Sequence, residues 1–168
     1  VSKPESSGMC YHPSGSASWL SEKGLSPEHE LCIEIFNAAS YLESRCLWGV
    51  GGLFIHELSH SYHDQYLPNG YNNKDILASY NRAIDSGTYD HVMVKKFDGI
   101  KKKKRFEAFR LTGPKRGYQT ANCMEYFAEL STAFMCEDST TCYNKWQPFN
   151  RCELAEMDAH AEAVLRKA

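Results

Sequence analysis

The chain has 168 residues, 42% of them apolar and 24% charged, with a formal net charge of −2. That balance excludes a disordered chain and argues against a general nucleic-acid binder, and the length suits one hydrophobic core, so residues 1–168 read as a single domain. No apolar run approaches a bilayer span, and the opening Val1-Ser2-Lys3-Pro4 has neither an initiator Met nor a signal pattern, as expected of a processed chain.

Residues 1–24, rich in Ser, Gly and Pro, read as an irregular but tethered N-terminal arm. Ser26-Pro27-Glu28 then supplies an N-cap, a first-turn proline and an acid at the positive end of a helix dipole, and predicts a helix running towards residue 44. Gly51-Gly52 permits a tight entry into a second helix that continues to Gln65, where Pro68-Asn69-Gly70 stops it. Over residues 72–86, Ile76, Leu77, Tyr80 and Ile84 share one side, and Gly87 terminates that helix. A hairpin is expected next: residues 91–97, a two-residue Asp98-Gly99 turn, and a return strand from Ile100 to Phe109 carrying Lys101 to Lys104 and Arg105. The four lysines read first as a solvated edge that discourages aggregation, and second as a contact for polyanions. Residues 120–135 are strongly helical, and residues 151–167 form a final surface helix after a packed turn at Trp146-Gln147-Pro148-Phe149. The expected class is α+β, mostly helical and compact, with a β-hairpin or small sheet.

Seven cysteines, at positions 10, 32, 46, 123, 136, 142 and 152, are many for a cytosolic domain of this size, and none forms a Cys-x-x-Cys knuckle. Secretion and disulfide bonding are therefore expected. Cys136 with Cys142 and Cys32 with Cys46 are the pairs that spacing suggests, with one thiol left over.

The pentapeptide His56-Glu57-Leu58-Ser59-His60 carries the chemistry. Positions four apart share one helix face, so both imidazoles can reach a single metal ion, and the spacing suits zinc. Glu57, rotated off that line, is placed as a general base for hydrolysis. Its setting, from Trp48 to Ile55, is apolar or small, where two histidines and a glutamate call for partners. A catalytic zinc needs a third protein ligand and an open position. His63 lies about 10 Å of axial rise from His56 and cannot share the ion. The metzincin pattern requires glycine at 63 and histidine at 66, where this chain has His63 and Tyr66, so that class is excluded. His63 and Asp64 then read as surface or supporting polar groups. The candidate third ligand is Glu125, one turn before Glu129 in an otherwise apolar stretch; Glu129 would accept a hydrogen bond from the far nitrogen of a ligand histidine.

His-Glu-x-x-His followed by Glu125-Tyr126-Phe127-Ala128-Glu129 resembles the gluzincins of the anthrax lethal factor and Pro-Pro endopeptidase type. Tyr11-His12-Pro13-Ser14, residues 56–65, 125–130 and 148–154 are also similar to a little-characterised set of secreted single-domain metallopeptidases. The resemblance covers most of the chain. It implies one zinc held by His56, His60 and Glu125, Glu57 as general base, and a zincin-like fold. It further implies that Tyr118, seven residues before the glutamate ligand, donates to the oxyanion. Ser59 stands where those enzymes have glycine, and their cysteine content differs, so substrate preference does not carry over. The function expected is a secreted, monomeric zinc endopeptidase acting on a peptide or protein, with no nucleic-acid partner. The rival readings are a catalytically silent secreted zinc-binding or matrix protein on the same fold, and a polyanion-binding module built on Lys101 to Lys104.

Overall fold

A computed structural model describes residues 8–97, 109–137 and 143–168. Helices hold 54% of the described residues and the strands form two small antiparallel sheets, which makes the class α+β. No helix among them is long and apolar enough to cross a membrane.

Within residues 8–24, the described part of the arm expected to be irregular, two elements form. Strand β1 (Met9–Tyr11) is followed by a short helix α1 (Ala17–Glu22), and both Met9 and Leu20 are fully buried. The helix expected from Ser26 towards residue 44 is also replaced. Ser26 does cap a turn by accepting from the Glu28 amide, but the turn is a single 3-10 turn, Pro27–His29. Leu31 then adopts a left-handed φ of 64°, and strand β2 (Ile33–Ile35) pairs antiparallel with β1. Pairing across the sheet overrides local helical preference here, and the alternation Ile33-Glu34-Ile35 suits it. Helix α2 (Ala38–Trp48) starts only at Asn37, whose side chain accepts from the amides of Ala39 and Ser40.

Helix α3 (Gly52–Gln65) carries the histidines, and α4 (Lys74–Ser86) ends on Gly87 at φ 65°, as the sequence predicts. Strand β3 (Val92–Phe97) pairs with β4 (Phe109–Lys115), and Phe97 faces Phe109. Among the described residues the return strand runs from Phe109 to Lys115, and the expected Asp98-Gly99 turn and residues 100–108 lie outside those described. Lys101 to Lys104 fall outside the described residues. The other edge of β3 is taken by residues 145–147: Lys95 N–H donates to the Lys145 carbonyl, and Gln147 N–H to that of Met93.

Helix α5 (Cys123–Phe134) starts at Asn122, which accepts from the Glu125 amide at 2.8 Å. The single tail helix expected is two, α6 (Arg151–Met157) and α7 (Ala159–Leu165). They break at Asp158, whose buried carboxylate caps α7 through the Ala161 amide and also takes Arg82 and the Tyr89 hydroxyl. The main core lies between α4, α5, α6 and α7, around Ile76, Tyr89, Tyr126, Phe127, Leu130 and Leu154. A second cluster, Met9, Leu47, Trp48 and Leu53, packs β1 and α2 against the start of α3.

No two described cysteines are bonded to each other: Cys10, Cys32, Cys46, Cys123 and Cys152 are thiols. The expected Cys32–Cys46 bridge is therefore not formed: the exposed Cys32 thiol donates to the Glu28 carbonyl at 3.6 Å, while Cys46 packs against the cluster of Met9, Leu47, Trp48 and Leu53. The Cys136–Cys142 pair involves a residue outside those described.

Candidate metal centre

Two helices build the centre. Gly51, at φ 94°, turns the chain into α3, and Gly52 lies so close to the Tyr143 carbonyl that a Cβ there would stand 2.0 Å from its oxygen. That contact seats the helix with His56, Glu57 and Ser59 buried. The Trp48 ring meets His56 edge-on at 5.3 Å, closing one side. From α5, Glu125 comes one turn below Glu129, on the face packed against α3.

His56 Nε2 and His60 Nε2 are 3.1 Å apart, and Glu125 Oε2 lies 3.2 Å from the first and 3.4 Å from the second. These are the edges of a small triangle. A tetrahedron with ligand atoms ~2.0–2.1 Å from its centre has edges of ~3.3–3.4 Å. Glu125 Oε2 is also buried without a hydrogen-bond partner. The donor set of two imidazole nitrogens and one carboxylate oxygen thus fits a metal ion, and the geometry leaves the side facing the cleft open. Burial alone would raise the Glu125 carboxyl, but the two histidines facing it outweigh burial and hold it well below the usual carboxylate range.

Glu57 sits on the same helix but off the triangle. Burial pushes its carboxyl up to about 7, against the pull of His60 and of the Tyr11 amide, which donates to Oε2 at 2.8 Å. Tyr118 donates its hydroxyl to Glu125 Oε1 at 3.2 Å; burial and then the Glu125 charge push that phenol up to about 12, so it remains a donor at neutral pH. Glu129 is fully buried, and its carboxylate lies 3.6 Å from His56 Nδ1, an ion-pair separation longer than a hydrogen bond. Both Glu129 oxygens lack hydrogen-bond partners, and burial first, then Glu125, push its pKa well above the ordinary range.

No family model, curated protein or solved structure matches the chain. The residues themselves therefore carry the chemistry.

A cleft of about 540 Å³ opens onto His56, Glu57, His60, Tyr118 and Glu125, with Trp146 and Lys145 on its far wall. A larger groove, about 690 Å³, runs between α3, α5 and α7, but it is apolar and holds no acid, histidine or thiol. The structure thus brings together every residue singled out in the sequence for the site. His63 departs from its reading as a surface or supporting polar group: it is fully buried, packed on the rings of Tyr71 and Phe127. Asp64 accepts from the Tyr11 hydroxyl and the Ser14 amide, tying the N-terminal segment to α3. Sequence reasoning missed the Tyr11 amide, because a backbone donor has no residue type to announce it.

Proposed function

We propose that the protein is a zinc-dependent endopeptidase on a zincin-like fold, of the gluzincin type that its motifs resemble. The observation that carries this reading is the triangle of His56, His60 and Glu125 with a buried carboxylate, Glu57, beside it on the same helix. Zinc held by these three residues supplies a Lewis acid that activates a water and polarises the scissile carbonyl. Glu57 accepts the proton of the attacking water and returns it to the departing amine. Its orientation is fixed by the Tyr11 amide, so the free lone pairs of the carboxylate face the cleft. The Tyr118 hydroxyl donates to the oxygen on which negative charge develops. Glu129 stabilises the ring orientation of His56 from behind. The apolar walls formed by Trp48, Leu53 and Trp146 exclude water from the polypeptide substrate. An extracellular location rests on the resemblance alone, since the described thiols give it no support.

The deciding experiment compares the parent, Glu57→Gln and Glu125→Ala for zinc content and for cleavage of an unbiased peptide library read by mass spectrometry. The expected pattern is cleavage by the parent only, with zinc at the triangle retained in Glu57→Gln and lost in Glu125→Ala. Zinc in the parent with cleavage by none of the three would replace this reading by a zinc-binding protein without turnover.

A further inference from the structure

A second group of metal-ligating side chains gathers along the β1–β2 pairing, with Cys10 also on the wall of the cleft that opens onto Glu57. Cys10 and His12 are two residues apart in an extended segment, which puts both on one face. Cys10 stands directly opposite Glu34 in the β1–β2 register. His12 is held by backbone bonds on both sides, its amide donating to Cys32 and its carbonyl accepting from Leu31. The 3-10 turn delivers His29 to the same point. His12 Nε2 is 2.7 Å and His29 Nδ1 3.4 Å from one oxygen, Glu34 Oε2, and Cys10 Sγ is 3.8 Å from His12 Nε2.

Several features are hard to explain as ordinary polar packing. Two imidazole nitrogens converge on a single carboxylate oxygen; His12 is 3% exposed; and the buried His29 Nδ1 has no hydrogen-bond partner. The nitrogen and oxygen donors of His12, His29 and Glu34 all lie within 4.8 Å of one another, whereas Cys10 Sγ stands outside that set, beside His12, and has to draw in to become a ligand. A tetrahedral zinc predicts nitrogen–oxygen edges of ~3.3–3.4 Å and a sulfur–nitrogen edge of ~3.6 Å. The His29–Glu34 and Cys10–His12 separations are already close to these values. The shorter His12–Glu34 contact is a direct hydrogen bond that an ion would replace, releasing a proton. Nitrogen and sulfur donors select a zinc-class transition ion over calcium or magnesium, which take oxygen shells.

We propose that His12, His29 and Glu34, with Cys10 as fourth donor, form a second zinc site of the structural kind, closed by four protein ligands and clipping β1 to β2. It differs from the His56–His60–Glu125 centre in being closed and in containing sulfur. The two are therefore separable by experiment.

Elemental analysis of the purified full chain should find two zinc ions per chain in the parent, one in His29→Ala, one in Glu34→Gln and one in a His56→Ala/His60→Ala variant. The His29 side chain is 40% exposed, so its truncation does not hollow the core. Cobalt loading adds an independent reading that needs no variant at the first centre: a sulfur-to-cobalt charge-transfer band in the parent, lost in Cys10→Ser. Zinc content unchanged by both His29→Ala and Glu34→Gln, or a His56→Ala/His60→Ala protein that folds and holds no zinc, overturns the second site and leaves the peptidase reading intact. One zinc in the parent, lost in His29→Ala and kept in His56→Ala/His60→Ala, supports the second site and removes the first. A cobalt-loaded parent without the sulfur band overturns Cys10 as the fourth donor.

Discussion

Gly52→Ala sets two physical effects against each other with opposite signs. Alanine is the better helix former by ~1 kcal/mol, and Gly52 has no left-handed φ to preserve, so propensity alone predicts a more stable protein. The added Cβ, however, would lie 2.0 Å from the Tyr143 carbonyl oxygen. Carbon–oxygen contacts settle at ~3.3 Å, so something must move by roughly 1.3 Å. Tyr143 adjoins the segment hydrogen-bonded along β3 through Lys145 and Gln147, which resists displacement. The movement therefore falls mainly on α3, and His56, one turn further on at ~6 Å of axial rise, moves with it. Glu125 belongs to α5 and stays, so a triangle with edges of 3.1–3.4 Å is distorted by about 1 Å, several times the ~0.2 Å that metal–ligand distances tolerate. The expected outcome is a loss of 1–3 kcal/mol of stability, by order of magnitude for an overpacked contact, together with at least a roughly tenfold weaker zinc affinity and a roughly hundredfold lower rate. Urea unfolding with excess zinc and with chelator, and competition with a chromophoric chelator, read the first two. A Gly52→Ala protein as stable as the parent with unchanged zinc affinity would refute the steric reasoning.

Three further outcomes are expected. Burial, helped by the charge of His60 and opposed by Asp64, pushes the His63 imidazole down to about 4 from an ordinary value near 6.5. The unfolded chain then binds more protons between those values, so this contribution is intact above about 6.5 and is lost as pH falls towards 4. It is worth about 2 kcal/mol between pH 7 and 5, and His63→Leu should flatten the pH dependence of urea stability by that amount. Asp158→Ala removes the α7 cap and leaves the buried Tyr89 hydroxyl unpaired, while Arg82 is exposed enough to be solvated. A loss of about 2–4 kcal/mol in chemical denaturation is expected, with zinc binding unchanged; a loss below ~1 kcal/mol contradicts the assignment. Tyr118→Phe should lower kcat by roughly 10²–10³ with KM and zinc content little changed, measured on the best peptide from the library; an unchanged kcat would make Tyr118 a lining residue.

The legible parts of the fold are those in which a local signal and tertiary packing agree. Helix α3 follows Gly51-Gly52 and ends before Pro68, and α4 has an apolar side and a glycine stop. Ser26-Pro27-Glu28 misled because its cap signal is genuine but serves only one turn, and nothing local shows that residues 33–35 will find β1. A better guide to the helix starts was present in Asn37, Asn73, Asn122 and Asn150, each of which accepts from amides two or three residues on. The antiparallel pairing after residue 91 was legible from the alternation of Val92 and Val94, whereas the facing of Phe97 and Phe109 is a register that strands set and local sequence does not print. At the centre, the convergence of His56, His60 and Glu125 was legible because ligands need particular side chains. His63 was not, since an imidazole packed between Tyr71 and Phe127 has the same letter as one in water.

The bond from the Tyr11 amide to Glu57 joins residues 46 apart in sequence, and the contact of His56 with Glu125 joins residues 125 − 56 = 69 apart. The metal-ligand set and the orientation of the base therefore depend on two different chain closures. Under the proposed function, the docked pair α3 and α5 brings the three ligands together, and Glu57 acquires its fixed orientation only when β1 closes. On the same proposal, metal uptake and the onset of turnover would then be separable events during refolding, each paced by its own loop closure.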